Sequence, residues 1–228
     1  MRVLTGHPGA VPEEGASLET LYAADAPTWL RANMVSTVDG AGTGSDGRSG
    51  SINNEADHRV FQTLRGLADA VVVGAGTAEV EGYRPGATPI VVVTRRGRLP
   101  ARLREAQPGQ VLMVTCAIAP GLPAAREALG ADHVLVAGEE SVDLAGAVAA
   151  LHARGLRHLL CEGGPSLLGD LLAAGVVDEL CTTVVPLVVG GDHPRIVPGP
   201  DLQLSLTLRL LGEDEGTVFA RWTVQRTD

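Results

Sequence analysis

Short apolar runs alternate with segments of helical spacing from about residue 28 onward. The runs DAVVVG, PIVVVT, QVLMVT, HVLVA and RHLLCE are nearly continuous, which is typical of parallel strands that are covered on both faces. Between them, the segments NEADHRVFQTLRGL, PGLPAAREALG, SVDLAGAVAALHARG and PSLLGDLLAAG repeat apolar residues at the spacing of a helix. Several of these segments end on glycine, as helices often do.

The last part of the chain follows a different pattern. The runs LQLSLTLRLL and TVFARWTVQ alternate apolar and polar positions, and GEDEG between them is typical of a hairpin turn. The runs LRANMV and ELCTTVVPLVV complete the strands. The pattern therefore predicts one α/β domain over residues 28–228, with a mostly parallel mixed sheet, flanking helices and an antiparallel C-terminal hairpin. We expect residues 1–27, rich in Gly, Pro, Glu and Ala, to be an N-terminal surface extension.

Composition narrows the classes of function. The chain has 228 residues, a formal net charge of −9 and no lysine, which disfavours general binding to nucleic acid or to anionic lipid. We expect neither a membrane span nor a signal peptide, because no apolar stretch suits either role. The cysteines Cys116, Cys161 and Cys181 are far apart and lack zinc-like spacing. They predict reduced, buried thiols, no metal site and a cytoplasmic location.

Two glycine-rich turns follow predicted strands. In CEGGPSLLGD, Gly163 and Gly164 stand between a strand and a helix, with Pro165 and Ser166 in the first helical turn. Ligands bind at the carboxyl ends of parallel strands, and the free N–H groups of a helix N-terminus bind phosphate. A sharp turn without any ligand explains the two glycines equally well.

The second turn, GAGTAEVEG, comes after the strand DAVVV. Gly74 and Gly76 follow the strand directly, and Thr77 would either hydrogen-bond a phosphate or cap a short helix. Glu79 stands where the dinucleotide fingerprint has its third glycine, so this turn is not a standard Rossmann fingerprint.

Arg95 and Arg96 follow the strand PIVVVT. Arginine at such a place suits the 2′-phosphate of NADP, whereas an acid suits the free hydroxyl of NAD. A solvated basic turn is the more common role for such a pair. Because this turn and both glycine turns lie at strand ends of one sheet, together they predict a cleft for NADP. The Gly- and Ser-rich loop from Asp39 to Ser51 is either a mobile flap over the ligand or a flexible connection.

Three stretches carry a family resemblance: MVSTVDG, GSINNEADHRVFQTLRGLADAVVVGAGTAEVEG and CEGGPSLLGDLLAAGVVDELCTTVVPLVVGG. They resemble the reductase domain of riboflavin biosynthesis, the C-terminal half of a bifunctional deaminase–reductase, which is similar in fold to dihydrofolate reductase. The resemblance covers roughly residues 28–225. It implies a homodimer that uses NADPH to reduce 5-amino-6-(5-phosphoribosylamino)uracil to the ribitylamino product, and we expect this chain to be a free-standing copy of the domain.

The turns and the resemblance together imply site residues. The cofactor candidates are Ser36, Ser51, Gly74, Gly76, Thr77, Glu81, Arg95, Arg96, Gly163, Gly164, Pro165, Ser166 and Leu167. The substrate candidates are Ser49, Arg65, Arg84 and Glu162, with Arg65 as the partner of the substrate phosphate. Asp39 and Glu162 are the catalytic candidates, although Asp39 is also explained as a turn-forming residue.

The sequence departs from the family in two ways that keep the substrate open. EVEGYRP stands where the family has an acidic DDP motif, so that Glu81 would replace the first acid and Arg84 has no obvious counterpart. The deaminase half of the bifunctional protein is also missing. Two alternatives therefore stand beside the riboflavin-type pyrimidine: reduction of a dihydrofolate-like pterin or another pyrimidine, and a non-catalytic NADP-binding protein.

Overall fold

Ten strands form one sheet in the computed structural model, which describes residues 1–6, 15–199 and 201–225. The strands are β1 (Arg2–Gly6), β2 (Trp29–Thr37), β3 (Ala70–Gly74), β4 (Ile90–Val93), β5 (Val111–Thr115), β6 (Val134–Val136), β7 (His158–Cys161), β8 (Glu179–Val185), β9 (Leu206–Asp214) and β10 (Thr217–Val224). The helices are α1 (Leu18–Leu21), α2 (Glu55–Gly66), α3 (Ala75–Val80), α4 (Leu122–Leu129), α5 (Leu144–Ala153) and α6 (Pro165–Ala173).

The sheet is parallel on one side and antiparallel on the other. Its strand order is β1-β9-β10-β8-β2-β7-β3-β4-β5-β6. All pairs from β8 to β6 are parallel, whereas β8, β10, β9 and β1 pair antiparallel. This arrangement confirms the mostly parallel mixed sheet and the antiparallel hairpin that the hydrophobic pattern predicts. The carboxyl ends of β2, β7, β3 and β4 consequently lie side by side at one edge of the sheet.

Helices cover both faces of the parallel part. Val72 of β3 packs in the core beneath α5 and α6, whereas its neighbour Val71 packs in the core beneath α2. Successive residues of a strand point to opposite faces, so a strand buried on both sides needs apolar residues at every position. The continuous runs in the sequence have this cause.

The N-terminal segment takes part in the sheet. β1 pairs antiparallel with β9, and Tyr22, just after α1, is only 1% exposed. Residues 7–14 of the predicted surface extension lie outside the described residues. The described part of the segment therefore contributes an edge strand and a core residue, while the domain boundary at residue 28 stays a prediction.

The stretch after β3 is helical where the sequence predicts a turn. Gly74 is the N-cap of α3, and Gly76 and Thr77 lie within that helix. The backbone N–H of Gly74 donates to the carbonyl of Gly163 at 2.8 Å. This contact joins the ends of β3 and β7, so the two glycine-rich stretches lie against each other.

Three further observations concern the described residues as a whole. Within residues 1–6, 15–199 and 201–225, no helix is long and apolar enough to cross a membrane. The same residues contain no group of three or more His, Cys, Asp or Glu side chains that could hold a metal ion. The three cysteines are buried and form no disulfide.

Candidate active site

Two neighbouring cavities open at the carboxyl ends of the parallel strands. The larger cavity has a volume of about 1080 Å³ and is lined by the ends of β3 and β4, residues 141–145 and the start of α6. The smaller cavity has a volume of about 440 Å³ and is lined by β2, the loop after it, α2, α3 and Glu162. Both therefore lie where ligands bind to parallel sheets.

The larger cavity collects six of the predicted cofactor residues: Gly74, Gly76, Arg95, Arg96, Ser166 and Leu167. Helix α6 begins at this cavity, and its N-cap, Gly164, has no side chain to satisfy the first N–H groups. These donors and the positive end of the helix dipole favour an anion beside Ser166.

Three of the four arginines that line the same cavity come from the turn after β4. Arg95, Arg96 and Arg98 all line the cavity, and within the described part of the chain none of them is in a salt bridge. The hydroxyl of Thr94 accepts from the backbone N–H groups of Arg96 and Arg98 at 3.3 and 3.4 Å, which shapes the turn. The turn therefore presents unpaired positive charge to a ligand.

The two glycine-rich stretches meet between the cavities. The peptide bond between Gly163 and Gly164 is cis. A Cβ atom on Gly164 would lie 2.1 Å from Oγ1 of Thr77, so only glycine permits this approach. Thr77 lines the smaller cavity and Gly76 the larger one. The predicted cofactor residues Gly163, Gly164 and Pro165 thus line neither cavity. Gly163 and Gly164 instead contact Gly74 and Thr77 at the start of α3.

A cluster of Glu162, Arg65 and Tyr83 forms one wall of the smaller cavity. Arg65 donates from Nε and Nη2 to the two carboxylate oxygens of Glu162 at 2.6 and 2.7 Å, and the Tyr83 hydroxyl donates at 2.5 Å. The Arg65 guanidinium also lies over the ring of Phe61, 4.4 Å from its centroid. The side chain of Glu162 is only 2% exposed. Glu162 thereby orients Arg65, whose side chain remains partly open to the cavity.

The opposite wall belongs to the Gly- and Ser-rich loop. The backbone N–H and the hydroxyl of Ser49 both donate to Glu81 at 2.8 and 2.9 Å. Ser49, Glu81 and Arg84 all line the smaller cavity. The loop is thus fastened to the end of α3 at Glu81, a predicted cofactor residue that here holds a predicted substrate residue.

Three further predicted site residues, besides Gly163, Gly164 and Pro165, lie outside both cavities. The exposed Asp39 accepts from the Thr37 hydroxyl at 2.5 Å and from the backbone N–H of Gly190 at 2.8 Å. The Thr37 hydrogen bond, followed by that of Gly190, keeps the pKa of Asp39 below its ordinary value. These contacts favour the turn-forming alternative for Asp39. Ser36 pairs within the sheet, and the Ser51 hydroxyl donates to Asp46 at 2.6 Å within the loop.

Sequence reasoning missed several lining residues. Asn33, Met34, Asp57, Phe61 and Tyr83 line the smaller cavity, and Arg98, Arg104 and residues 141–145 line the larger one. The position of Asp57 in the helical pattern could have identified it as a candidate site residue. It falls among the buried positions of α2 with Ala56, Val60 and Leu64, where an unpaired acid is unusual.

Asp57 differs from the other acids of the site in its surroundings. It is only 2% exposed. Burial raises the pKa of its carboxyl group, and a hydrogen bond with the Thr183 side chain opposes that rise only in part. Within the described residues, Oδ1 of Asp57 has no hydrogen-bond partner. Of the two buried carboxyl groups of the smaller cavity, Glu162 is saturated by its neighbours, whereas Asp57 has acceptor capacity to spare.

Comparison with known proteins relates this site to a family. Residues 28–216 match the model of the RibD C-terminal domain. The 2,5-diamino-6-ribosylamino-4(3H)-pyrimidinone 5′-phosphate reductase of Archaeoglobus fulgidus is 30% identical over 187 residues, which cover 73% of this chain and 84% of that protein. The reductase of the same name from Methanothermobacter thermautotrophicus is 30% identical over 201 residues, which cover 80% of this chain and 93% of that protein.

Solved structures agree with this relation. A pyrimidine reductase-like protein from Corynebacterium diphtheriae superposes with a TM-score of 0.77 at 25% identity, over 93% of this chain and 100% of that one. The riboflavin biosynthesis reductase of Saccharomyces superposes with a TM-score of 0.65 at 14% identity, over 87% and 90%, and supports the fold alone. The fold class predicted from the sequence is confirmed. The chain belongs to the RibD C-terminal domain family and is an oxidoreductase of that family.

Proposed function

We propose that this protein uses NADPH to reduce the ribosylamino side chain of a pyrimidine 5′-phosphate, a step of the riboflavin biosynthesis type. The observation that carries the proposal is the junction of the two cavities. Helix α3 contributes Gly76 to the larger cavity and Thr77 to the smaller one. In the same way, the start of α6 contributes Ser166 to the larger cavity, and the end of β7 is followed by Glu162 in the smaller one. A dinucleotide in the larger cavity therefore has its reactive end within reach of the smaller one.

The larger cavity suits a phosphorylated dinucleotide. Its unpaired Arg95 and Arg96 offer charge-assisted hydrogen bonds to a 2′-phosphate, and the uncapped start of α6 suits a pyrophosphate. The protein as a whole has a net charge of −9, so these local donors are what would hold an anionic cofactor. When bound, NADPH supplies a hydride.

The reaction needs a hydride at carbon and a proton at nitrogen. When the ribose ring opens, C1 of the sugar forms a C=N bond with the exocyclic nitrogen of the pyrimidine. Hydride addition to C1 and protonation of that nitrogen convert the bond to the amine of the ribityl chain. The residues of the smaller cavity would orient this bond, since hydride transfer depends mainly on the distance and alignment of donor and acceptor.

Arg65 and Arg84 are the cations of the smaller cavity. Two hydrogen bonds to Glu162 fix the plane of the Arg65 guanidinium, and its remaining N–H groups are available for a phosphate. We propose that Arg65, with Arg84, holds the substrate phosphate, and that Ser49 closes the loop over the substrate through Glu81.

The proposal is tested by turnover of defined substrates. The purified chain is mixed with NADPH and, in turn, with 5-amino-6-(5-phosphoribosylamino)uracil, its 2-amino counterpart 2,5-diamino-6-ribosylamino-4(3H)-pyrimidinone 5′-phosphate, and dihydrofolate. We expect NADPH oxidation, and a product two hydrogens heavier by mass spectrometry, with at least one of the pyrimidines. Turnover of dihydrofolate alone would replace the proposed substrate by a pterin. Binding of NADPH without any turnover would favour a non-catalytic NADP-binding protein.

We include a cytoplasmic homodimer in the same proposal. Val38 and Val188 are 64% and 67% exposed, and the backbone N–H of Val38 donates at 2.9 Å to the carbonyl of Leu187, whose exposed fraction is 41%. These three residues form a small apolar surface that a second copy would cover. Light scattering coupled to gel filtration tests this part, and we expect the mass of two chains.

A further inference from the structure

Asp57 is a buried acid in the wall of the smaller cavity. This residue is in the first turn of α2, lines the smaller cavity and is almost completely buried. A buried carboxyl group without an ionic partner destabilises a protein. Within the described part of the chain, no salt bridge involves Asp57. The buried carboxyl group of Asp57 is therefore suited to a ligand that supplies hydrogen-bond donors.

The second observation is the contrast with Glu162 in the same cavity. Glu162 accepts two hydrogen bonds from Arg65 and one from Tyr83. Asp57 has only the Thr183 side chain as a hydrogen-bond partner, and its Oδ1 has none among the described residues. Glu81, the third carboxyl group of the cavity, accepts through Oε1 from the backbone N–H and the hydroxyl of Ser49. Asp57 is therefore the buried carboxyl group of the cavity whose acceptor capacity its neighbours leave open to a substrate ring.

A carboxylate offers two acceptor oxygens side by side and no donor. The complementary ligand edge carries two adjacent N–H donors. The 2-amino-4-oxopyrimidine ring has such an edge, formed by its ring N3–H and its 2-amino group. A uracil ring has a carbonyl oxygen at position 2, which would place an acceptor against an acceptor.

We propose that Asp57 binds the 2-amino edge of the pyrimidine and makes the 2,5-diaminopyrimidinone phosphate the preferred substrate over the uracil form. This inference rests on the proposed function and specifies its substrate. Phe61, one helical turn after Asp57, lines the same cavity. The reduced product would still carry its 2-amino group. A hydrolytic deamination is then the class of reaction that converts it to the uracil form.

The inference is tested by the ratio of kcat/KM for the two pyrimidine phosphates. We expect the unmodified protein to prefer the 2-amino form by about 10- to 100-fold, the range of one mismatched buried hydrogen bond. Asp57→Asn presents one acceptor and one donor, which match the N3–H and the 2-carbonyl of uracil, so the preference should disappear or invert through KM. Asp57→Ala should weaken binding of both. Asp132→Asn, an exposed acid outside both cavities, is the matched control.

A binding measurement separates failure of this inference from failure of the proposed function. Calorimetry with the free bases 2,5,6-triaminopyrimidin-4-one and 5,6-diaminouracil, in the presence of NADP⁺, needs no turnover. Tighter binding of the triamino base, lost in Asp57→Asn while NADP⁺ affinity is unchanged, would support the role of Asp57 even if neither phosphate is reduced. Equal binding of the bases, or a kcat/KM ratio that Asp57→Asn leaves unchanged, would overturn it.

Discussion

At the scale of single residues, Arg95 and Arg96 are where we expect the choice between NADPH and NADH to be made. Both line the larger cavity without an ionic partner in the described chain. A charge-assisted hydrogen bond contributes about 1.5–3 kcal/mol, so replacing both arginines with alanine should erase most of a preference for NADPH. Dissociation constants for the two cofactors measure this. Arg126→Ala on the exposed side of α4 is the control, and equal affinities in the unmodified protein would contradict the assignment.

Asp57 should also limit the stability of the ligand-free protein. Burial raises the pKa of its carboxyl group above 3.8, so the folded state resists ionisation. A carboxyl group of this kind lowers the free energy of unfolding as the pH rises above the unfolded-state pKa. We expect Asp57→Asn to stabilise the protein at neutral pH by about 0.5–2 kcal/mol. Urea unfolding at several pH values should show the gain shrinking towards acid pH, and a gain independent of pH would contradict it.

At the scale of elements, the contact between α3 and the turn before α6 should be sensitive to a single methyl group. A Cβ at Gly164 would lie 2.1 Å from Oγ1 of Thr77 and 3.4 Å from its Cβ. Gly164→Ala should therefore destabilise the fold by about 1–3 kcal/mol, as overpacking does, and weaken cofactor binding. Thr77→Ala removes the clashing hydroxyl.

A double-mutant cycle tests whether these two elements are coupled. In the variant that carries both Gly164→Ala and Thr77→Ala, most of the lost stability should return, as followed by thermal unfolding. Gly86→Ala, at a glycine with open space around it and, like Gly164, without a positive φ, measures the effect of the added methyl group without a clash. Simple additivity of the two changes at Gly164 and Thr77 would show that the two elements do not approach each other this closely in solution.

At the scale of the whole molecule, a buried charge network links the N-terminal segment to the sheet. Glu179 on β8 accepts from Arg31 at 2.5 Å and from Arg221 at 2.6 Å. Arg221 also donates to the carbonyls of Leu21 and Ala23. Burial acts to raise the pKa of Glu179, but Arg31 and Arg221 outweigh it and keep the pKa below 4.5.

This network predicts a loss of stability in acid. Because the folded-state pKa of Glu179 is lowered, its contribution is complete above the unfolded-state pKa of 4.5 and disappears as the pH falls through the folded-state value. Glu179→Gln leaves two buried arginines without their anion and should destabilise the protein by about 3–5 kcal/mol. Urea unfolding between pH 7 and pH 3 should show that the difference between the two proteins narrows in acid. A difference in stability that does not change with pH would contradict the proposed contribution of ionised Glu179.

The local patterns of the sequence predicted most of the elements. The hydrophobic period alone predicts nine of the ten strands and the four longer helices. Burial of one or both faces of an element requires apolar residues at a regular spacing along the chain. Asn54, a residue type favoured as a helix cap, accepts from the backbone N–H of Asp57 at the start of α2. The exceptions depend on distant partners. β1 forms only by pairing with β9 near the other end of the chain, and α3 forms in a glycine-rich stretch of low helix propensity.

By itself, the sequence determined the α/β fold, the strand ends at which the two cavities open and the arginine turn of the larger cavity. These features depend on residues that lie close together along the chain. Only the tertiary structure decided which side chains act together. Glu162 lies 97 residues from Arg65, and Asp57 meets Thr183 from another element. No local pattern records such pairs, since the free energy of a buried hydrogen bond depends on the partner that folding brings to it, whatever the distance along the chain.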